Sequence, residues 1–349
     1  MWVESIRYLA SNRKNAGRIY FLQLLFCNEA SWSLHTGTMK QSSNIFKHAP
    51  LRLASRASQL AMCQAELVKK RLLPIATEIQ PITTQGDRVL DRSLADAGGK
   101  GLFIKELEKS LLAGASDAAI HSMKDMETYF APGTEIAAIL PREDRRDAIL
   151  GRYASLADLP KGAIVGTSSV RRRALLLHHR PDLLVKLLRG NVIRRIGLLQ
   201  AGDYDAIILA VAGLRRLGLD VPYSPLASDV MPTAAAQGAL AVQIVSPRDE
   251  RTQSVSAAFT KMNCSRAAAE VTAERAVLAY LNGSCHTPIA ASAIYGDDGI
   301  LRLDAMILRP DGEAVHRRHI VGSVDDAASL GKELGVALLT DAGGREFLV

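Results

Sequence analysis

Short apolar runs alternate with amphipathic stretches along most of the chain, a pattern that predicts α/β architecture. Leu51 to Ala54 reads as a strand, and after Ser55, Arg56, Ala57 and Ser58 a helical period runs from about Leu60 to Leu73. Glu78 to Ile82 and Ala118 to Ile120 predict two more strands, with a helix over Phe103 to Leu112 between them. A strand over Glu135 to Leu140 is followed by Pro141, Arg142, Glu143, Asp144, Arg145, Arg146 and Asp147, a charged crossing of the kind that joins domains. Beyond it, Ala163 to Val165 and the continuous apolar run Ala206 to Val211 predict strands of parallel-sheet character. Met231 to Val242 reads as a return crossing into a strand over Ala239 to Val245. A long helix, Asn263 to Leu281, ends at Asn282, Gly283 and Ser284. From Ala290 to about Arg318 the alternation is that of antiparallel strands, with turns at Gly296 to Gly299 and Pro310 to Gly312, before a last helix over Val324 to Leu339.

Several of these strands run into residues suited to binding anions. Gly166, Thr167, Ser168 and Ser169 precede Arg171, Arg172 and Arg173; Arg189, Gly190, Asn191, Arg194 and Arg195 form a second group, and Arg215 and Arg216 a third. Taken singly, each arginine fits a solvated helix face. Their recurrence at strand ends, where open α/β sheets bind ligands, points instead to one polyanion gripped at several places. Arg56 and Ser58 occupy the equivalent place after the first strand. Lys124 and Asp125, in His121-Ser-Met-Lys-Asp125, read either as a structural ion pair or as a carboxylate for proton transfer or cation stabilisation beside an ammonium that holds substrate. Cys285, in a Gly-Ser turn closed by Pro288, is the cysteine placed for reaction, as a thiolate nucleophile or as a covalent cofactor link. The Gly98-Gly-Lys-Gly101 turn lacks the spacing of a phosphate-binding P-loop, and His121 has no second ligand nearby, so no metal is expected.

Composition narrows the classes. The 349 residues are 48% hydrophobic and 23% charged with a net charge of +7, which fits a globular protein of two or three domains and an anionic partner. An aromatic content of 5% gives little basis for stacking nucleic-acid bases, and no recognition-helix motif accompanies the arginines. Four cysteines without a C-x-x-C pair point to a reducing, cytoplasmic setting. Ile19 to Cys27 is too short to span a bilayer and is broken by Gln23, so no membrane partner is expected. Residues 1–50 read as an extension. Met1 to Thr38 is expected to be dispensable, being disordered or upstream of a start at Met39, and Glu4 and Glu29 argue against a transit peptide.

From Leu51 to the C-terminus the chain resembles the porphobilinogen deaminase family. The resemblance rests on Leu51-Arg-Leu-Ala-Ser-Arg-Ala-Ser58, Gly98-Gly-Lys-Gly-Leu-Phe103, His121-Ser-Met-Lys-Asp125, Gly166-Thr-Ser-Ser-Val-Arg-Arg172, Leu188-Arg-Gly-Asn-Val192 and Asp205-Ala-Ile-Ile-Leu-Ala-Val-Ala-Gly213, which occur in family order. It implies three domains: two α/β lobes of periplasmic-binding-protein type, over 51–142 plus 238–259 and over 145–234, and a smaller α+β domain over 263–349 that carries the cofactor. It also implies a dipyrromethane attached by a thioether to Cys285. The implied enzyme is a monomer that joins four porphobilinogens head to tail, releases ammonia at each addition and hydrolyses off hydroxymethylbilane. By the same resemblance Asp125 and Lys124 are catalytic and also hold the cofactor with Arg171 and Arg172. Arg56, Ser58, Ser168, Ser169, Arg189, Arg195 and Arg216 bind the carboxylates of substrate and of the growing polypyrrole chain.

Three positions depart from the family pattern: Ala236 where Gly usually precedes Gln-Gly, Gln243 where the strand commonly ends in Glu, and Arg194 as an added cation. Ala236 is expected to stiffen the crossing if the backbone there needs a positive φ. A non-catalytic bilobed binding protein for an acidic metabolite would use the same arginines, but it leaves Cys285 and Asp125 unexplained.

Overall fold

A computed structural model of the chain describes Phe46 and residues 49–88, 101–284 and 287–348. Most of the N-terminal extension with Met39, the Gly98-Gly99-Lys100 turn, Cys285 and His286 lie outside the described residues. The unit Phe46–Val349 contains the elements that follow.

The chain enters through β1 (Leu51–Arg56), whose Leu51, Leu53 and Ala54 are buried, and turns at Ser58 into α1 (Gln59–Arg71). The Ser58 hydroxyl accepts from the Ala61 N–H at 3.4 Å, satisfying one of the free donors of the first turn. Next come β2 (Thr77–Ile82), α2 (Lys105–Leu112), β3 (Ala118–Ser122) and β4 (Thr134–Ile139). The chain then crosses into β5 (Asp147–Gly151), β6 (Ile164–Thr167), α3 (Val170–His179), β7 (Leu184–Leu187), α4 (Val192–Gln200), β8 (Ala206–Ala210), α5 (Val211–Leu217) and β9 (Tyr223–Pro225). It returns through β10 (Leu240–Val245) and α6 (Glu250–Thr260) to α7 (Ser265–Leu281), then forms β11 (Ile289–Tyr295), β12 (Ile300–Leu308), β13 (Val315–Ser323) and α8 (Ala327–Asp341).

Two mixed sheets result, ordered β2-β1-β3-β10-β4 and β7-β6-β8-β5-β9, with an antiparallel β11-β12-β13 sheet as the third. In each mixed sheet the strand that follows a crossing runs antiparallel to its neighbours: β5 against β8 and β9, and β10 against β3 and β4. Both crossings therefore end in an inner strand, next to the edge strand of its sheet, so the hinge segments continue directly into buried strands. The third sheet packs Ala291, Leu303 and Ile307 against α7 and α8, while its Ala290, Met306 and Leu308 join the core formed by Val165, Ile208 and Leu175 of the second.

The structure refines several boundaries. Asp147, placed by sequence at the end of a polar crossing, is the first residue of β5 and fully buried. Val211 closes no strand; it opens α5. The long helix begins at Ser265 because the Asn263 side chain accepts from the Ile139 N–H at 2.9 Å and so belongs to the preceding turn. Strand β9 and helix α6 carried no clear sequence signal; α6 is started by a capping box between Asp249 and Thr252. Ala236 has φ 59°, a left-handed backbone conformation that costs a residue with a Cβ about 1–2 kcal/mol. Among the described residues no helix is long and apolar enough to cross a membrane.

Candidate functional site

Strand β6 ends at Thr167, whose hydroxyl accepts from the Ser169 N–H at 3.1 Å, and Ser169 in turn caps α3 by accepting from the Arg172 N–H. This local geometry puts Arg171 and Arg172 in the first helical turn, where the macrodipole opposes their charge. Both are also buried. Asp147 is what makes the arrangement tenable: it accepts from Arg171 and Arg172 through separate carboxylate oxygens, each at 2.7 Å. Those two cations, together with the hydrogen bonds they donate, hold the Asp147 carboxyl far below the usual carboxylate range although burial acts the other way. Arg171 also donates to the Pro232 carbonyl and Arg172 to the Ile208 carbonyl, at 2.5 and 2.8 Å. The Nε–H of each arginine is buried without an acceptor among the described residues.

The first sheet contributes Lys124 and Asp125 from a single 3-10 turn, Met123–Asp125, that follows β3 directly. Met123 points into the core, so the next two side chains emerge at the rim, Lys124 half-buried and Asp125 exposed. Lys124 donates to Gln237 Oε1 at 3.2 Å, and Gln237 Nε2 donates to Asp147 Oδ1 at 2.7 Å. One amide on the return crossing thus connects the lysine of the first sheet to the arginine pair of the second. Burial lowers the Lys124 ammonium to about 8; Asp125 and Asp147 raise it, and Arg172 and Arg171 depress it further.

Arg189 and Arg195 join the same electrostatic neighbourhood. Burial lowers Arg195 to about 10, with Arg172 and Arg189 adding to the shift and Asp125 opposing it. Its Nε–H donates at 2.8 Å to the Gly190 carbonyl, and Gly190 itself has φ 104° and would bring a Cβ within 2.7 Å of Arg194 Cδ. Arg194 is exposed. Burial also lowers Arg189 from its ordinary value. Among the described residues Lys124, Asp125, Arg171, Arg172, Arg189 and Arg195 therefore form one group, with Asp147 as the buried carboxylate of the Arg171 and Arg172 pair.

The remaining sequence-predicted residues lie around this group in different settings. Arg56 is ion-paired to Asp87, which also accepts from the Thr84 hydroxyl at 2.7 Å, and its guanidinium stacks 4.1 Å from the Phe103 ring centroid. Ser58 is occupied as the cap of α1, and Ser168 lies half-buried in the turn before α3. Arg216 donates at 2.6 Å to the Gly238 carbonyl and touches the return crossing. His121 is buried, lowered to about 4 by desolvation despite the side chain of Gln243, and so neutral. No cluster of three or more metal-ligating side chains occurs among the described residues. Cys285 lies outside them, between the end of α7 and β11.

A ligand with several carboxylates fits this donor set. The two buried Nε–H groups of Arg171 and Arg172, each costing about 1–3 kcal/mol when unsatisfied, would gain an acceptor. The residues suit a dipyrromethane with its acetate and propionate arms. Sequence reasoning had passed over Asp147 and the Gln237 side chain. Asp147 was hidden because a carboxylate in a charged segment looks solvated until its strand is placed.

Residues 51–254 match the family described as porphobilinogen deaminase, dipyromethane cofactor binding domain, and residues 268–340 match porphobilinogen deaminase, C-terminal domain. The chain is 41% identical over 306 residues to the porphobilinogen deaminase of Aliarcobacter butzleri (strain RM4018), covering 85% of this chain and 96% of that protein. Among solved structures it is similar to the VFT2 domain of Bordetella pertussis BvgS, at 13% identity and a TM-score of 0.34 over 65% of this chain and 91% of that one. The periplasmic aliphatic sulphonate binding protein SsuA from Escherichia coli is similar at 15% identity, with a TM-score of 0.36 over 61% of this chain and 68% of that one.

Proposed function

This chain belongs to the porphobilinogen deaminase family, and from that membership we propose how its own residues share the work of the reaction. The enzyme condenses four porphobilinogens head to tail with release of ammonia and hydrolyses the product to hydroxymethylbilane, a step of tetrapyrrole and haem synthesis. The convergence of Lys124 and Asp125 from one sheet on Arg171, Arg172, Arg189 and Arg195 from the other supports the assignment. A bound dipyrromethane supplies the anchored pyrrole to which further units are added. Cys285 is the residue we assign to its thioether, and Arg171, Arg172, Lys124 and Asp125 to holding it.

Each porphobilinogen brings an acetate and a propionate, so bound carboxylates accumulate as the chain grows. Arg189, Arg195, Arg56 and Arg216, with the Ser58, Ser168 and Ser169 hydroxyls, take these groups, and the rigid guanidinium fork suits them. Lys124 binds one carboxylate as an ammonium. Departure of ammonia leaves positive charge on the incoming pyrrole, and the Asp125 carboxylate stabilises that charge and accepts the proton lost when the new bond forms. We assign the three sheets to domains 51–142 plus 238–259, 145–234 and 263–349, and place the enzyme in the cytoplasm as a monomer.

Two variants separate the roles. Cys285→Ser is expected to lose the covalent mass increment and product formation together, whereas Asp125→Ala supplied with preformed cofactor keeps the increment and loses turnover. Intact mass reads attachment, and ammonia with bilane release reads chemistry. Normal turnover by cofactor-loaded Asp125→Ala would overturn the carboxylate's role, and a fully active Cys285→Ser enzyme without covalent cofactor would overturn the anchor.

A further inference from the structure

Helix α7 presents Ala267, Val271 and Arg275 at intervals of four residues, which places them on one face. The first two pack in the same core as Met123 and Met126, the residues that flank Lys124 and Asp125. One turn further on, Arg275 reaches the same segment by hydrogen bonding. Its Nη1 donates to the Met126 carbonyl at 3.2 Å and its Nη2 to the Glu127 carbonyl, while the guanidinium lies 5.2 Å from the Phe130 ring centroid. The Glu127 side chain is fixed in turn, accepting from the Gly101 N–H at 2.8 Å.

We propose that Arg275 is a positioning residue for the condensation, holding the backbone that immediately follows Asp125 and thereby fixing the Asp125 carboxylate relative to the helix that leads into the Cys285 loop. The proposal rests on the reading of Asp125 as the carboxylate beside the reacting pyrroles. The Met123–Asp125 segment is one 3-10 turn, closed at its exit by the Met126 N–H, which donates to the Met123 carbonyl at 3.2 Å. A one-turn helix of this kind does not hold a carboxylate to a fraction of an ångström. Two consecutive carbonyls gripped by one planar guanidinium remove the rotation left in the segment. The fork matters because its two terminal nitrogens reach neighbouring carbonyls at once, and a lysine ammonium has a single nitrogen for both. Helix α7 ends at Leu281, so the same helix that holds the backbone after Asp125 ends shortly before Cys285 in the chain.

The test compares Arg275→Met, Arg275→Lys and Asp125→Asn with the native enzyme. Each is isolated with its cofactor, and kcat and KM are referred to the fraction carrying the covalent increment by intact mass. Misplacement of a reacting group by about 1 Å costs on the order of a hundredfold in rate. Arg275→Met is therefore expected to lose on the order of ten- to a hundredfold in kcat with KM for porphobilinogen little changed, and Arg275→Lys to fall between it and the native enzyme. Native kcat per loaded molecule in both arginine variants, with Asp125→Asn inactive, would overturn the proposal while leaving the role of Asp125 intact. Lowered melting temperature or cofactor occupancy with native kcat per loaded molecule would make Arg275 merely structural and would overturn it equally. If Arg275→Met does not fold, the kcat of Arg275→Lys decides. Full activity in Asp125→Asn would remove the reading on which the proposal stands.

Discussion

Lys124 occupies a place where burial works against its charge and Asp125 works for it, leaving the ammonium at about 8, with Arg172 and Arg171 adding to the depression. Because the ordinary lysine value in an unfolded chain is about 10.4, folding favours the neutral amine. The group therefore costs stability below pH 8, and the cost fades as pH rises toward the unfolded value. Binding runs in the opposite direction, since a carboxylate arm needs the ammonium. KM for porphobilinogen is expected to be flat below pH 8 and to climb above it, approaching about tenfold per pH unit if the charge is essential. Lys124→Arg should remove this inflection, whatever it does to the absolute KM. A pH profile of KM that is identical in the two enzymes would mean that Lys124 carries no substrate carboxylate. At this scale sequence separated Lys124 and Asp125 from ordinary surface charge through their position after a strand, but it gave no hint of Asp147. Opposite charges brought together from β5 and α3 have no shared period along the chain.

Helix α7 carries a second set of contacts on the side that faces the two crossings. Glu274, fully buried, accepts from Arg142 at 2.8 and 2.9 Å, from the Ala236 N–H at 2.6 Å and from the Ala293 N–H at 2.7 Å. Glu270, one turn earlier, accepts from Arg145 at 2.6 Å and from the Tyr295 N–H at 3.1 Å. Both crossings and strand β11 are thus fastened to one helix, and the strained φ of Ala236 is held in place by the hydrogen bond to Glu274. Removing Glu274 leaves Arg142 its 3.3 Å contact to Glu270 but strips the Ala236 and Ala293 N–H groups of their acceptor, and breaking a buried ion pair costs about 3–5 kcal/mol. Glu274→Ala should lose stability on that scale in denaturant titrations. The cycle with Arg142→Met should give a coupling of about 1–3 kcal/mol, and additive effects would show that the pair is incidental. Sequence revealed the helix, both carboxylates and the charged crossing as separate features. It also flagged Ala236 as the place where positive φ would matter, and the backbone adopts it there. It did not pair the crossing with the helix, because Arg142 and Glu274 meet only after the chain has built the second mixed sheet and returned through β10 to complete the first. The short β9 was missed for a related reason: three residues are too few to establish a period.

Across the whole molecule the two mixed sheets meet through a side chain that has to be both donor and acceptor. Gln237 takes a hydrogen bond from Lys124 with its oxygen, and with its nitrogen donates to the Arg145 carbonyl and to Asp147, both at 2.7 Å. The main elements of both sheets were legible in the hydrophobic pattern, because a buried strand must be apolar; the join was not, because a glutamine in a crossing has no obligatory partner. Its polarity makes a sharp prediction. Gln237→Glu is nearly isosteric, but when ionised it has no proton to give and sets a second carboxylate against buried Asp147. When protonated, it regains a donor for Asp147 while its carbonyl oxygen still accepts from Lys124. Burial and Asp147 push the introduced carboxyl above the ordinary glutamate value of about 4.3 in the folded protein, against the pull of Lys124 and the arginine pair. Linkage then fixes the sign: the variant's deficit relative to native is small below the unfolded value, grows as pH rises from it and levels off above the folded value. Loss of the hydrogen bond to Asp147 alone is worth about 1–3 kcal/mol, so denaturant midpoints measured from pH 4 to 8 should separate progressively between the two proteins. Gln237→Leu, which cannot recover a donor at any pH, should show a deficit without that slope. Parallel curves for native and Gln237→Glu over the whole range would mean that the amide's polarity is not what joins Lys124 to the Asp147 arginine pair.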